Sequence, residues 1–333
     1  MSNTKKISVL GSGSWGTALS LVLADNGHDV TLWSFSKEEI KGIAENRENI
    51  SKLPGVKLPE SIKYSSNLEK SIEGKDIIVV AVPSAVIRGM AAKIGAYAKP
   101  EQIIVTVSKG IEEGTLMTQS QIMEDETNGN KVVALSGPSH AEEVGKRLPT
   151  TLISACSDLA TAETVQDAFM NDYIRVYTSE DILGVELGGS LKNVIALAAG
   201  MCDGMGFGDN SKAALITRGI VEMSRLAIAM GAKQETLGGL SGIGDLIVTC
   251  ESVHSRNRKA GFLMGQGMSM EHAMKEVNMV VEGVYSAKAA LALGKKYNVS
   301  MPIIEQVNLV LFEDKDAKQA VYDLMNRDKK AEY

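Results

Sequence analysis

The chain has 333 residues, of which 44% are hydrophobic and 23% charged, and its formal net charge is -6. This length predicts two domains, and the acidic balance excludes a broad electrostatic surface for nucleic acid. The three cysteines, Cys156, Cys202 and Cys250, lie far apart without C-x-x-C spacing. They fit neither a disulfide framework nor a zinc site, so we expect no metal and a reducing, cytoplasmic environment. We also expect no signal peptide and no apolar stretch that is long and charge-free enough to span a bilayer.

The first motif is a glycine-rich turn between an apolar run and a helical pattern. Residues 6–16 read KISVLGSGSWG. The order of strand, G-x-G-x-x-G and helix is typical of dinucleotide binding. Gly11 permits the tight turn, Gly13 lets the backbone approach a pyrophosphate, and Gly16 lets the helix pack on the strand. The pyrophosphate would bind free N–H groups at the helix N-terminus. An ordinary glycine-rich turn is the alternative, and the flanking elements disfavour it.

The residues after the second strand bear on the choice of cofactor. An acidic residue about 20 residues after the glycines normally binds the adenosine ribose. Here that place reads Ser34-Phe35-Ser36-Lys37, without a carboxylate. The missing acid removes repulsion against a 2′-phosphate, and Lys37 could contact one, although no arginine is present. The sequence therefore admits NADP(H) and NAD(H), and leans slightly towards NADP(H).

Strand-like and helical patterns alternate up to residue 179. We expect strands at 30–33, 76–82, 102–107, 131–135, 149–155 and 174–178, and helices at 37–48, 83–98, 115–124 and 158–170. The alternation predicts an α/β fold, an N-terminal Rossmann-like doubly wound and mostly parallel sheet. Beyond Ser179, helical periodicity predicts helices at 185–198, 216–230, 283–296 and 303–312. We therefore predict a NAD(P)-binding domain at 1–180 and an all-α substrate and catalytic domain at 181–333.

Two lysines are candidates for the proton transfer that accompanies hydride transfer. Lys109 directly follows a strand, where a surface lysine is the alternative. Lys192 lies with Asn193 inside an otherwise apolar helix, after Gly188-Gly189. Because glycines destabilise a helix by about 1 kcal/mol each, they indicate close approach of another group. A lysine extending along the helix flank is the alternative for Lys192.

A third cluster could hold a phosphate. Asp245 and Thr249 are spaced i, i+4 and share a helix face. Ser255, Arg256 and Asn257 follow closely, and Arg256 offers a planar fork for two phosphate oxygens. A solvated helix start is the alternative for this second stretch.

Together these segments resemble the bacterial type of NAD(P)-dependent glycerol-3-phosphate dehydrogenase. The resemblance spans residues 5–310, and its motifs are GSGSWGTAL, VAVPS, VSKGIE, LSGPSHAEEV, ELGGSLKNVIALAAG, GLSGIGDLIVTC, SRNR and VVEGV. It implies reversible reduction of dihydroxyacetone phosphate by NAD(P)H to sn-glycerol 3-phosphate, for phospholipid synthesis. It further implies a homodimer.

The resemblance also implies roles for individual residues. Lys192 matches the general acid/base and Lys109 a second active-site lysine that contacts cofactor and substrate. The implied substrate-binding residues are Lys109, Gly137, Ser139, Asn193, Asp245, Thr249, Ser255, Arg256 and Asn257. The implied cofactor-binding residues are Gly11, Gly13, Ser14, Trp15, Gly16, Phe35, Ser36, Lys109, Ala141, Arg256, Val280 and Glu282.

The chain departs from this family at Phe35 and Ser36, where relatives often carry a basic pair. We therefore expect use of both cofactors. Two other functions remain open: a related Rossmann and helical dehydrogenase acting on a small hydroxyacid, and a nucleotide-sensing module on the same fold.

Overall fold

The computed structural model describes residues 4–329, 331 and 332. The chain divides into two compact units. The first contains Met1–Lys109 and Met117–Glu186, and the second contains Gly110–Leu116 and Leu187–Tyr333.

The first unit is built on an eight-stranded sheet with the order β3-β2-β1-β4-β5-β6-β7-β8. The strands are β1 (Lys6–Leu10), β2 (Asp29–Trp33), β3 (Lys63–Ser65), β4 (Ile77–Val80), β5 (Ile103–Thr106), β6 (Val132–Ser136), β7 (Thr150–Ala155) and β8 (Ile174–Ser179). All neighbouring strands are parallel except β6 and β7, which are antiparallel. The predicted mostly parallel sheet is confirmed, and its first six strands have the order of a dinucleotide-binding sheet.

Both faces of this sheet are covered. In β4, Ile77 and Val79 belong to one apolar core, while Ile78 and Val80 belong to another. Successive side chains of a strand point to opposite faces of the sheet, so the apolar run IIVV is buried on both faces. This double burial explains why β4 reads as a continuous apolar segment rather than an alternating one.

The helices of the first unit follow the predicted alternation. They are α1 (Ser14–Asp25), α2 (Lys37–Asn46), α3 (Leu68–Ile72), α4 (Ile87–Gly95), α5 (Gln119–Glu126), α6 (Ala141–Val144) and α7 (Leu159–Phe169). The helix expected from residue 115 begins four residues later, because Thr118 and Gln121 form a capping box.

Beyond Ser179, the regular elements among the described residues are helices. The helices are α8 (Ile182–Gly204), within which the division of the chain falls, then α9 (Asp209–Ala229), α10 (Gln234–Leu237), α11 (Asp245–Glu251), α12 (Arg256–Gly265), α13 (Met270–Val277), α14 (Glu282–Lys296), α15 (Pro302–Phe312) and α16 (Ala317–Met325). A single π-helical turn, Leu240–Gly244, precedes α11.

Helix α8 corrects one expectation from the sequence. Its 23 residues are long and apolar enough to cross a membrane by length and composition, where we expected no such stretch. In the structure, 89% of its apolar window is buried inside the protein. An apolar helix of this kind is typical of a protein core.

Helices α8 and α12 pack with their backbones in contact. A Cβ on Gly200 would lie 2.0 Å from the carbonyl oxygen of Arg258, and one on Gly204 would lie 2.1 Å from that of Phe262. From the other side, a Cβ on Gly261 would lie 2.1 Å from the carbonyl oxygen of Leu197. This stripe of glycines brings α12 directly onto α8.

Candidate active site

The glycine turn after β1 has the backbone geometry that its sequence predicts. Gly11 adopts φ +123°, and its N–H donates to the carbonyl oxygen of Trp33 at 3.0 Å. A Cβ on Gly11 would lie 2.3 Å from the carbonyl oxygen of Ala81. A Cβ on Gly16 would lie 2.0 Å from the carbonyl oxygen of Gly11. Only glycine fits at these two positions, because a side chain would collide with backbone.

Gly13 differs from the other two glycines. A Cβ at Gly13 would meet nothing within 4 Å. The residue caps α1, and the N–H groups of Ser14, Trp15 and Gly16 have no acceptor among the residues that the structure describes. Unpaired N–H groups at a helix N-terminus bind anions. The open side of Gly13 and these donors therefore fit the pyrophosphate of a dinucleotide.

Two residues that sequence analysis missed hold this turn in place. The amide of Asn49 is buried and donates to the carbonyl oxygen of Ser12 and to the hydroxyl of Thr17, each at 2.9 Å. Glu39 on α2 accepts a hydrogen bond from Ser12 Oγ at 2.7 Å and pairs with Lys52 at 2.8 Å. A carboxylate therefore does reach the glycine turn, from α2 rather than from the end of β2.

The residues expected near the adenosine lie between β2 and α2. Phe35 is 83% exposed, although it is aromatic. Ser36 caps α2, because its hydroxyl accepts from the N–H of Glu39. A cavity of about 460 Å³ lies beside them, and its lining residues are Trp33, Phe35, Asn67, Leu68, Glu69, Lys93 and Tyr97. An exposed aromatic ring beside a cavity fits a planar base.

Lys109, Gly137 and Ser139 come together after neighbouring strands β5 and β6. Lys109 Nζ donates to the carbonyl oxygen of Gly137 at 3.0 Å, and Ser139 Oγ donates to the same oxygen at 2.9 Å. Gly137 has φ +119°, and a Cβ there would lie 3.0 Å from the carbonyl oxygen of Thr151. Ala141 begins α6 directly beyond this cluster. The structure thus groups four of the predicted residues at one end of the sheet.

Lys192 is the buried cation of the helical unit. Its Nζ donates to Asp245 Oδ1 and to Thr249 Oγ1, each at 2.6 Å. The side chains of Lys192 and Asp245 are only 7% and 2% exposed. Removing one partner of a buried ion pair strongly destabilises a protein, because the other charge is left buried without compensation. The i, i+4 spacing of Asp245 and Thr249 places both on one face of α11, as the sequence predicts, and the structure shows that both contact Lys192 Nζ.

The predicted close approach at the glycines before Lys192 is confirmed at Gly188. A Cβ on Gly188 would lie 2.5 Å from the carbonyl oxygen of Ser241. Ser241 lies in the π-helical turn before α11, so this contact brings α11 onto α8. The thiol of Cys250 on α11 is also buried, and burial raises its pKa to about 12. It is therefore a neutral thiol and no nucleophile.

Hydrogen bonds of Asn193 and Asn257 connect three helices, α8, α12 and α14. The amide nitrogen of Asn257 donates to Asn193 Oδ1 at 2.9 Å, and Asn257 Oδ1 accepts from the N–H of Gly283 at 2.9 Å. The two asparagines are 4% and 8% exposed. Val280 and Glu282, expected near the cofactor, flank the start of α14 beside Gly283. The side chain of Asn257 is thus engaged with α8 and α14.

The first turn of α12 carries hydrogen-bond donors that could bind an anion. Ser255 caps the helix by accepting from the N–H of Arg258. The N–H groups of Arg256 and Asn257 have no acceptor within residues 4–329, and Arg256 is exposed with no ion pair in that range. A guanidinium beside two free N–H groups at a helix N-terminus fits a phosphate. Lys192, Asp245, Thr249 and this turn all belong to the helical unit.

Two models of one protein family match the chain. A family model described as NAD-dependent glycerol-3-phosphate dehydrogenase N-terminus matches residues 6–162. The C-terminus model of the same family matches residues 181–322.

Individual relatives are similar over nearly their full length. The chain is 63% identical to the glycerol-3-phosphate dehydrogenase [NAD(P)+] of Agathobacter rectalis over 328 residues, 98% of each chain. It is 57% identical to the enzyme of that name from Fusobacterium nucleatum, again over 98% of each chain. The crystal structure of a glycerol-3-phosphate dehydrogenase from Coxiella burnetii superposes with a TM-score of 0.94 at 37% identity, covering 97% of this chain and 99% of that one.

Proposed function

The chain belongs to the NAD-dependent glycerol-3-phosphate dehydrogenase family, and on that premise we propose that it reversibly reduces dihydroxyacetone phosphate to sn-glycerol 3-phosphate with NADH or NADPH. The product supplies glycerophospholipid synthesis. The single observation that carries the proposal is the buried group of Lys192, Asp245 and Thr249 in the same unit as the donors of α12.

The glycine turn supports the binding of the dinucleotide. Gly11, Gly13 and Gly16 would admit the pyrophosphate, and the N–H groups of Ser14 and Trp15 would hydrogen-bond its oxygens. The cavity beside Phe35 would take the adenine ring. The bound nicotinamide supplies the hydride that reduces the carbonyl carbon.

Lys192 would supply the proton for the carbonyl oxygen. Negative charge develops on that oxygen as the carbon is reduced, and an ammonium can neutralise it by donating a proton. Asp245 and Thr249 each accept a hydrogen bond from Lys192 Nζ, so they would fix the direction of the ammonium. In the reverse direction, the amine takes a proton from the hydroxyl of glycerol 3-phosphate.

The first turn of α12 would bind the phosphate group of the substrate. Arg256 offers two parallel donors, and the backbone N–H groups of Arg256 and Asn257 add two more. Ser255 shapes the turn as its cap. Lys109, whose Nζ is held by the carbonyl oxygen of Gly137, is proposed as the second active-site lysine.

Assembly and location are also part of the proposal. The homodimer that the family resemblance implies is part of the proposal, and light scattering after size exclusion would detect it. The acidic chain and its free, buried cysteines support a cytoplasmic enzyme with no nucleic-acid partner. We retain the domain assignment of 1–180 for cofactor and 181–333 for substrate binding.

An absorbance assay of nicotinamide oxidation tests the reaction. We expect turnover with dihydroxyacetone phosphate and either reduced cofactor, and a kcat/KM at least about a hundredfold lower with dihydroxyacetone, which lacks the phosphate. Equal use of both ketones, or turnover of a 2-keto acid in their place, would contradict the proposal.

A further inference from the structure

A network of charged side chains lies at the end of α8, outside the group around Lys192. Asp203 Oδ2 accepts from Arg258 Nε at 2.8 Å and pairs with the terminal guanidinium nitrogen at 2.7 Å. Its other oxygen, Oδ1, pairs with Lys212 Nζ at 2.8 Å. Lys212 also lies 3.5 Å from Glu251. The network joins α8, α9, α11 and α12.

Burial and position distinguish this network from an ordinary surface ion pair. The side chains of Asp203 and Lys212 are 11% and 13% exposed, and that of Arg258 is 23% exposed. Exposed pairs contribute little, whereas a carboxylate with both oxygens engaged has a defined geometry. Asp203 also precedes the last residue of α8, where the helix dipole disfavours a negative charge. Its carboxylate therefore stabilises the two cations, Arg258 and Lys212, and does not stabilise the end of α8.

Arg258 connects this network to the phosphate-binding turn. It is the third residue of α12, and its N–H donates to the cap Ser255. Arg256 and Asn257, whose free N–H groups are proposed to bind phosphate, are the first and second residues. Because a Cβ on Gly200 would lie 2.0 Å from the carbonyl oxygen of Arg258, no side chain separates α12 from α8 at this point. The pairing of Arg258 with Asp203 and the hydrogen bond from Asn257 to Asn193 then both restrict the rotation of α12 on that contact.

We infer that Asp203 is a positioning residue that aims the first turn of α12 at the substrate phosphate through Arg258. Lys212 holds the second oxygen and thereby fixes the rotamer of the carboxylate. The inference rests on the proposed function, because it assigns the phosphate to α12.

The test compares Asp203→Asn with Asp323→Asn, which removes another ion-paired carboxylate of the helical unit. For Asp203→Asn we expect KM for dihydroxyacetone phosphate to rise about tenfold, within the hundredfold range that misplaced groups cause, with kcat within about twofold. The kcat/KM for dihydroxyacetone should stay within about twofold, so the preference for the phosphorylated ketone falls. NADPH affinity, measured by fluorescence titration, should not change. Asp323→Asn should leave every parameter unchanged.

Arg258→Lys provides a second variant if Asp203→Asn does not fold, because it keeps the charge but loses the planar fork. It should show the same selective rise in KM. An equal loss of kcat/KM with both ketones would overturn the inference and leave the proposed function intact. An unchanged KM for dihydroxyacetone phosphate in the variant that folds would do the same. A wild-type enzyme that does not reduce dihydroxyacetone phosphate would overturn the proposed function, and this inference with it.

Discussion

Lys192 Nζ lies 2.6 Å from Asp245 Oδ1, and neither side chain is more than 7% exposed. The pair joins α8 to α11, and Thr249, one turn further along α11, holds the same ammonium. A lysine is costly to bury in this way, and its ion pair with Asp245 offsets part of that cost. The proposed role of this ammonium in proton transfer can be tested by removing it.

Replacing Lys192 by methionine should abolish most of the activity. Methionine keeps an unbranched side chain in the apolar helix but cannot donate a proton. General acid catalysis contributes about 10²–10⁴ in rate, so we expect kcat to fall at least about a hundredfold. Cofactor affinity, measured by fluorescence titration, should change by less than about twofold, since the glycine turn belongs to the other unit.

Lys315→Met is the matched control, because Lys315 is an ion-paired lysine of the helical unit outside the proposed site. It should retain wild-type kcat. Turnover by Lys192→Met at the wild-type rate would show that the proton comes from another group.

Replacing Asp245 alone should destabilise the protein more than replacing both partners. Asp245→Asn leaves the Lys192 ammonium buried without its counter-charge, which typically costs about 3–5 kcal/mol. Lys192→Met combined with Asp245→Asn removes both charges and should recover at least half of that loss. Urea unfolding followed by circular dichroism measures these free energies. A double variant no more stable than Asp245→Asn would mean that the pair is not the source of the loss.

The sequence predicted the parallel sheet of the first unit and the helices of the second, because the period of the apolar residues depends on which faces of an element are buried. The IIVV run of β4 is buried on both faces, and α8 is apolar throughout its length, so each pattern is continuous. Asp245 and Thr249 were predictable as a pair because their spacing on a helix brings them to one face.

Contacts between elements distant in the chain could not be predicted from local pattern. Asn49 binds the turn at Ser12, 37 residues away, and Asp203 binds Arg258, 55 residues away. Polar residues in loops and at helix ends are common, so neither residue type nor spacing marks these two. The short strand β3, Lys63–Ser65, was missed because three residues show no alternation.

Gly13→Ala should separate cofactor binding from folding. A Cβ at Gly13 meets nothing within 4 Å, so the free energy of unfolding should change by less than about 1 kcal/mol. The same methyl group would occupy the space proposed for the pyrophosphate, so the Kd for NADPH should rise at least about tenfold. Gly42→Ala in α2, where a Cβ also meets nothing, is the control and should bind normally. Normal binding by Gly13→Ala would exclude the pyrophosphate from this turn.

The enzyme should use both cofactors. No carboxylate occupies residues 34–37 and no arginine is present to bind a 2′-phosphate, so the ratio of kcat/KM for NADPH and NADH should lie within about a hundredfold, or ~2.7 kcal/mol. Ser36→Arg should shift the ratio towards NADPH, while losing the α2 cap at about 1 kcal/mol. A wild-type ratio beyond a hundredfold in either direction would contradict this prediction.

Glu222 should make stability fall as pH rises towards neutrality. Its carboxylate, 4% exposed on α9, accepts from the N–H groups of Ile303 at 2.9 Å and Ile304 at 3.4 Å, at the start of α15. Burial raises its pKa from 4.5 to about 7, although these two hydrogen bonds and the charges of Arg218 and Arg327 oppose the shift. The folded state therefore holds a proton that the unfolded state has lost between these two values.

The sign follows from this difference in bound protons. The contribution of Glu222 is fully present below pH 4.5 and is lost as the pH rises through 7, a change of about 3 kcal/mol. Glu222→Gln cannot ionise, so its stability relative to wild type should increase from pH 4.5 to 7.5, as measured by urea unfolding. The exposed control Glu271→Gln should show a constant difference over that range. A constant difference for Glu222→Gln as well would mean that the carboxylate is already ionised in the folded protein at pH 4.5 to 7.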